Sequence, residues 1–283
     1  GLEIPTHNML MRVTSTEPEV PWAGNWIENQ LVRMWYPITV ATQSFHIKKF
    51  ILDALIESAD DPWGEIYFKV HDFGSRGVTC REQAGIGGMA NLSSFKGSDT
   101  DAGVIFANYY YDCEMSAWSI PASEHSTILR WGKDHEEEAY ENLIRKYLKA
   151  GKTVACVSDT YDYFNVLENI WCGSLLSKIQ NSEGTLVVRP DSGKPVDILE
   201  QTFRTLERKI GMTVNSKGYK VLPKYIRVIQ GDGVNESTIR EIIAMMLRNK
   251  WSISNITFGS GGALLQQMDR DTLKFAFKPC PGP

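Results

Sequence analysis

From residue 65 onward, short β-branched or aromatic runs alternate with helix-length stretches, and this alternation constrains the chain more than any other feature. The runs fall at 65–73, 90–95, 116–121, 153–159, 185–191, 225–231, 253–259 and 273–278. Helical patterns separate most of them, notably at 135–149, 196–209 and 236–249. Such alternation argues for a parallel sheet. Eight strand candidates over about 210 residues approach the scale of a β/α barrel, with a doubly wound open sheet as the main competitor. The expected fold class is therefore α/β, with a β/α barrel-like parallel-strand domain over residues 65–283. A short strand and helical segment over residues 1–64, the remnant of a larger flanking domain, precede it. Within that segment, residues 8–14 read as a strand. Apolar spacing from Trp22 to Leu55 predicts two helices joined near Tyr36-Pro37, because proline breaks a helix interior. Its tryptophans read as core or interface.

The strand candidates share a second property. Their C-terminal ends carry small or reactive groups: Asp72-Phe73-Gly74, Gly97-Ser98-Asp99, Glu124-His125-Ser126, Ser158-Asp159, Arg189-Pro190-Asp191-Ser192-Gly193, Gly231-Asp232-Gly233 and Gly259-Ser260-Gly261-Gly262. Parallel strands bring those ends to one face, where barrel enzymes build their active sites. Any one end is ordinary turn chemistry. Seven together predict a shared pocket.

Composition narrows the class. A chain of 283 residues with 42% hydrophobic content can bury a large core. A formal net charge of −4 gives no global basic field for nucleic acid. The five cysteines (Cys80, Cys113, Cys156, Cys172 and Cys280) are scattered and odd in number, with no CxxC pair. That predicts reduced thiols in a cytoplasmic protein, with neither a zinc site nor a disulfide framework. No run is apolar enough to span a membrane, and no signal-peptide pattern precedes the first strand-like segment. Both ends, Gly1–Pro5 and Pro279–Pro283, look like cuts in a longer protein.

Several tempting motifs fail. Gly85-Ile86-Gly87-Gly88-Met89-Ala90 fits GxGxxA but does not follow a strand, so it is no dinucleotide site. No Walker A loop and no HExxH pair is present. Gly259-Ser260-Gly261-Gly262 is stronger: it follows a strand candidate and precedes a helix start, where bare backbone N–H groups can approach a phosphate. Arg270 and Lys278 follow it closely enough to add charge. Arg189 and Asp191, two residues apart in an extended segment, would point the same way, either towards a substrate or into a mutual salt bridge. His125 beside Glu124, with Asp159 across the mouth, could be held in one tautomer by a carboxylate.

Taken in order, these segments resemble the nicotinamide phosphoribosyltransferases, a type II phosphoribosyltransferase family. The likeness runs through His71-Asp72-Phe73-Gly74-Ser75-Arg76-Gly77, Phe95–Thr100, Pro121–Thr127, Val157-Ser158-Asp159, Arg189–Gly193, Val228–Gly233 and Phe258–Gly262. The stretches at 35–42 and 215–219 extend it to residues 8–278. The resemblance implies transfer of a phosphoribosyl group from phosphoribosyl pyrophosphate to nicotinamide, in NAD salvage, coupled to ATP through a phosphohistidine. It implies that Phe73 stacks on the pyridine ring, with Asp99 accepting from the carboxamide NH₂ and Arg189 donating to its oxygen. Arg76, Gly261, Gly262 and Arg270 would hold phosphate, with Lys278 a further contact. Asp191, Asp232 and the Gly231 turn would meet the ribose. His125 would take the phosphoryl group from ATP, supported by Glu124 and Asp159. Mg²⁺ would accompany the phosphates, with no ligand set assigned on the protein. The resemblance further implies a homodimer with the active site at the subunit interface, Arg76 reaching the neighbouring site. Family members are longer at both ends. Two alternatives stay open: the same fold acting on nicotinic acid, or a non-catalytic nucleotide-binding fragment that pairs with full-length subunits.

Overall fold

The computed structural model describes residues 3–278; Gly1, Leu2 and residues 279–283, Cys280 among them, lie outside the described residues. Six parallel strands make one curled sheet: β1 (Val70–Asp72), β2 (Gly97–Ser98), β3 (Thr153–Val157), β4 (Thr185–Arg189), β7 (Ile226–Gln230) and β8 (Ile256–Ser260). Between β4 and β7 a separate antiparallel pair forms, β5 (Thr213–Val214) with β6 (Lys220–Val221). The order across the sheet is β2-β1-β8-β7-β4-β3. Its two edges are linked by the chain at 118–123. Trp118 bridges to Gly97 and Ala122 to Ala155, both in parallel. The expected strand at 116–121 is thus a pair of single bridges that complete the ring.

Side chains alternate across the barrel wall, as strand geometry requires. Val154, Cys156, Leu186, Val188 and Val228 point into the large core beneath the outer helices. Ala155, Val187 and Ile229, between them in sequence, form a separate small cluster with Phe73. The barrel interior at this level is therefore lined by short side chains. Burial pushes the Cys156 thiol up to about 12, which leaves it protonated.

The helices follow their sequence signals. The Glu136–Tyr147 helix has three glutamates in its first turn and Arg145 and Lys146 in its last, matching the helix dipole. Pro195 opens the Pro195–Ile210 helix at a position that needs no N–H. Asn235 caps the Glu236–Arg248 helix by accepting from Thr238 N–H at 3.0 Å. Trp35–Ser58 buries Tyr36, Val40, Ser44, Ile47, Ile51 and Leu55 along one stripe. Among the described residues no helix is long and apolar enough to cross a membrane.

Five expectations need correction. The break between the first two helices is a 3₁₀ turn at Val32–Met34, ahead of Pro37; Pro37 sits in the first turn of Trp35–Ser58, where no N–H is required. Residues 8–14 are exposed and unpaired, since no sheet edge lies beside them. Residues 273–278 are turn and coil, and Lys274 at φ 57° cannot sit in an extended strand. Residues 65–69 are short helical turns ahead of β1. Residues 90–91 end the Arg81–Asn91 helix, with a turn following. That helix forms despite three internal glycines because it packs backbone to backbone on Asp101–Tyr111: a Cβ on Gly103 would lie 2.8 Å from the carbonyl carbon of Gly88.

Candidate active site

The site lies at the C-terminal ends of the parallel strands, where six of them deliver a side chain or a bare backbone. Phe73 follows β1 and is tied by its N–H to Ser260 O of β8 at 2.8 Å. Its ring rests on Ala155, Val187 and Ile229. It also lies directly over Gly259, where a Cβ would come within 2.0 Å of Cε2. Gly231 flanks the same ring: a Cβ there would meet Phe73 Cε2 and Asp191 Oδ1 at 3.3 Å each, and Arg189 Cδ at 3.5 Å. The ring, the cation and the carboxylate thus converge on one bare strand end.

The β4 end is set by Pro190, which cannot extend the ladder, and by Gly193 at φ 82°, which turns the chain back towards its helix. Arg189 is 7% exposed. Its Nε lies 3.6 Å from Asp191 Oδ1 and its Nη2 3.7 Å from Glu124 Oε2. Asp159, after β3, accepts the Asp191 N–H at 3.0 Å. His125 Nε2 sits between Asp191 Oδ2 at 3.4 Å and Asp159 Oδ1 at 3.7 Å, while Nδ1 lies 3.2 Å from Thr160 Oγ1. His125 opens the five-residue His125–Leu129 helix with Glu124 just before it, so it stands at a helix start and not at a strand end. Arg189 Nε and Asp159 Oδ1 are buried without a hydrogen-bond partner among the described residues. Unpaired buried polar atoms carry a desolvation cost, which a polar ligand would relieve.

Asp99 stands at the end of β2, its N–H donated to Asp72 O at 2.9 Å. His71 Nε2 lies 3.0 Å from its Oδ1, and Ser119 donates to the same oxygen. Partial burial pushes this carboxyl upward, but the bonds to His71 and Ser119 and the charge of Arg189 outweigh it and hold it below the usual carboxylate range. Asp99 is therefore an anion at neutral pH. An open cavity of about 500 Å³ adjoins this end, lined by Ser98, Asp99, Trp118 and Ser119 among others.

A nicotinate phosphoribosyltransferase family model matches residues 68–282. The chain belongs to that family. It is 45% identical over 278 residues to a nicotinamide phosphoribosyltransferase of Xanthomonas campestris pv. campestris (strain 8004), covering 98% of this chain and 59% of that protein. A nicotinamide phosphoribosyltransferase of Mycoplasma genitalium is 33% identical over 270 residues, covering 91% of this chain and 57% of that protein. The chain thus spans somewhat under three fifths of the length of these relatives.

In this family member the structure gathers Phe73, Asp99, Glu124, His125, Asp159, Arg189, Asp191 and Gly231 into one cluster. Asp232 follows Gly231 and is exposed, its carbonyl held by Gln230 Nε2 at 2.8 Å. Gly261 touches the Phe73 carbonyl (3.4 Å from a built Cβ), and Gly262 begins a helix of only four residues, Gly262–Leu265. So short a helix lends little dipole, and the bare backbone is what remains for an anion. Arg76, in the turn beside Gly262, is exposed. Arg270 is exposed and pairs with its neighbour Asp271 at 3.0 Å; Lys278, also exposed, ends the described residues. Neither forms an ion pair with the cluster among the described residues.

Sequence reasoning gave no role to His71, Ser119 and Thr160, and put Gly259 in a phosphate-binding turn, whereas it lies under the Phe73 ring. His71 and Gly259 stand inside motifs at strand ends, and that spacing is the available signal. Ser119 and Thr160 carried none, because their places depend on how the chain between β2 and β3 crosses the mouth.

Proposed function

We propose that this chain carries the site that joins nicotinamide to phosphoribosyl pyrophosphate, giving nicotinamide mononucleotide and pyrophosphate. One observation supports this most: an aromatic ring seated on apolar side chains, a buried guanidinium beside it across Gly231, and an anionic carboxylate held by the histidine that leans on the ring. A pyridine-3-carboxamide matches that set, offering a flat π-face, an NH₂ for Asp99 and a carbonyl oxygen for Arg189.

In the reaction the pyridine nitrogen forms a bond to C1′ of the ribose as the C1′–O bond to pyrophosphate breaks, the leaving group taking the electron pair. The transition state is oxocarbenium-like, so the protein's work is positioning and charge stabilisation. Phe73, Asp99 and Arg189 would orient the ring, and Asp191, Gly231 and Asp232 the ribose. Backbone N–H groups at Gly261 and Gly262, with Arg76, Arg270 and Lys278, would meet phosphate. The cluster itself is rich in carboxylates. Among the described residues no group of three or more His, Cys, Asp or Glu side chains could hold a metal ion, so Mg²⁺ would be held mainly through the substrate phosphates and water. When bound, Mg²⁺ supplies charge neutralisation on the phosphates.

His125 would accept the γ-phosphoryl group of ATP, an N–P bond forming as ADP departs, with Asp159, Glu124 and Thr160 orienting the imidazole. The exposed Arg76 fits a homodimer in which it reaches the partner's site, and the free thiols fit a cytoplasmic enzyme. Nicotinic acid is the second reading, favoured by the description of the matching family. The anionic Asp99 opposes it, since two unit charges about 4 Å apart repel by roughly 4 kcal/mol at an effective dielectric near 20.

The test is to incubate the purified chain with nicotinamide, phosphoribosyl pyrophosphate and Mg²⁺, with and without ATP, and to resolve the mononucleotide by chromatography. Product, increased by ATP, is expected. Binding of both substrates without product would make the chain a non-catalytic binding fragment, and binding of neither would overturn the reading.

A further inference from the structure

Asp99 is held in an unusual way. Two donors, His71 Nε2 and Ser119 Oγ, both meet Oδ1, and none meets Oδ2 among the described residues. The donors come from different parts of the wall: His71 from β1, Ser119 from the span that bridges the sheet edges. The backbone adds a third restraint, Asp99 N–H to Asp72 O. An anionic carboxylate can only accept, so His71 must carry its proton on Nε2. Nδ1 is turned towards Gly97, where a Cβ would lie 2.6 Å away. The His71 ring leans on Phe73 with centroids 5.3 Å apart, so the donor is fixed relative to the stacking face.

We propose that His71 and Ser119 are specificity-determining positioning residues: by jointly occupying Asp99 Oδ1 they aim Oδ2 at the pyridine substituent, so that an amide is accepted and a carboxylate refused. This rests on the reading of Asp99 as the group that meets the carboxamide. Losing either donor frees the carboxylate to rotate and raises its proton affinity, so that it can take a proton from solvent and donate it in a hydrogen bond to a carboxylate ligand. Both effects weaken the amide and admit the acid.

The readout is the ratio of dissociation constants for nicotinamide and nicotinic acid, measured by calorimetry on one preparation, which cancels any loss of folded protein. Ser119→Ala and His71→Ala should each shift the ratio towards the acid by on the order of tenfold, the effect of one charge-assisted hydrogen bond. Ser119→Thr and His71→Gln, which retain a donor, should restore most of it. Asp99→Asn is the control. If it leaves the ratio unmoved, the reading of Asp99 fails and the inference with it. If Asp99→Asn moves the ratio while Ser119→Ala and His71→Ala do not, the inference alone is overturned. A wild-type chain that binds neither ligand removes both.

Discussion

Replacing Gly259 by alanine tests the seat of the Phe73 ring. The added Cβ would lie 2.0 Å from Cε2, 2.5 Å from Cδ2 and 2.8 Å from Cζ. Carbon atoms in contact rest about 3.5–4.0 Å apart, so the ring must retreat by roughly 1.5–2 Å. The backbone cannot yield instead, because Gly259 is paired with His71 in the β1–β8 ladder and Phe73 N–H is bonded to Ser260 O. The ring must therefore leave Ala155, Val187 and Ile229. Overpacking of this kind costs about 1–3 kcal/mol. In a chain of this size each kcal/mol lowers Tm by about 2–4 °C, so a fall of about 2–12 °C is expected by calorimetry. A misplaced ring also loses an offset stack of about 0.5–1.5 kcal/mol, so nicotinamide Kd should rise roughly 2- to 12-fold. Gly24→Ala, in the Ala23–Leu31 helix with nothing within 4 Å of its Cβ, is the control: it should leave the affinity unchanged and should not lower Tm. Unchanged Tm and affinity in Gly259→Ala would show that the ring is not seated over Gly259.

Three further outcomes follow from the same geometry. Burial raises the Asp72 carboxyl to about 6, only partly offset by the Gly74 N–H, so folding favours its protonated form; that stabilisation is complete below about pH 4 and is lost as pH rises through 6. Asp72→Asn should therefore gain stability relative to wild type in urea melts between pH 4 and 7 and then level off, and a difference independent of pH would refute the assignment. With γ-labelled ATP, an acid-labile, base-stable label should appear on the protein and vanish in His125→Ala; label persisting in that variant would place the acceptor elsewhere. The buried Tyr36 hydroxyl donates to Leu265 O at 2.8 Å, tying the first long helix to the short helix after β8. Tyr36→Phe should cost about 1 kcal/mol and about 2–4 °C of Tm, and an unchanged melt would mean the bond contributes nothing.

The α/β class was legible because crossover helices and buried strands leave a strong periodic mark. The positions of the cluster were legible too, since Phe73, Asp99, Asp159, Arg189 and Gly231 each stand just past an apolar run. What escaped notice depends on tertiary contact. The glycine-rich Arg81–Asn91 helix has weak local propensity and exists because Gly88 and Gly103 let two helices touch. Residues 273–278 have strand-like composition but no edge to join, and residues 65–69 tighten into turns before β1. Both donors to Asp99 Oδ1 were hidden for a related reason: a side chain 28 residues away and another 20 residues away meet one oxygen only once the ring is built.

The wall of the barrel is uneven, and this has a mechanical consequence. Five of its junctions are ladders between strands. The span at 118–123 is held by four backbone hydrogen bonds, joining Trp118 to Lys96 and Ser98, and Pro121 and Ser123 to Ala155. It is a seam of single bridges in a wall otherwise made of ladders, and local opening follows the route of least loss. Ser119 hangs from the start of this seam, and Glu124 and His125 from its far end. A shift of the imidazole would reach Asp99 along a span pinned only at its two bridges, while the seat of the Phe73 ring, built on the ladders, stayed where it is.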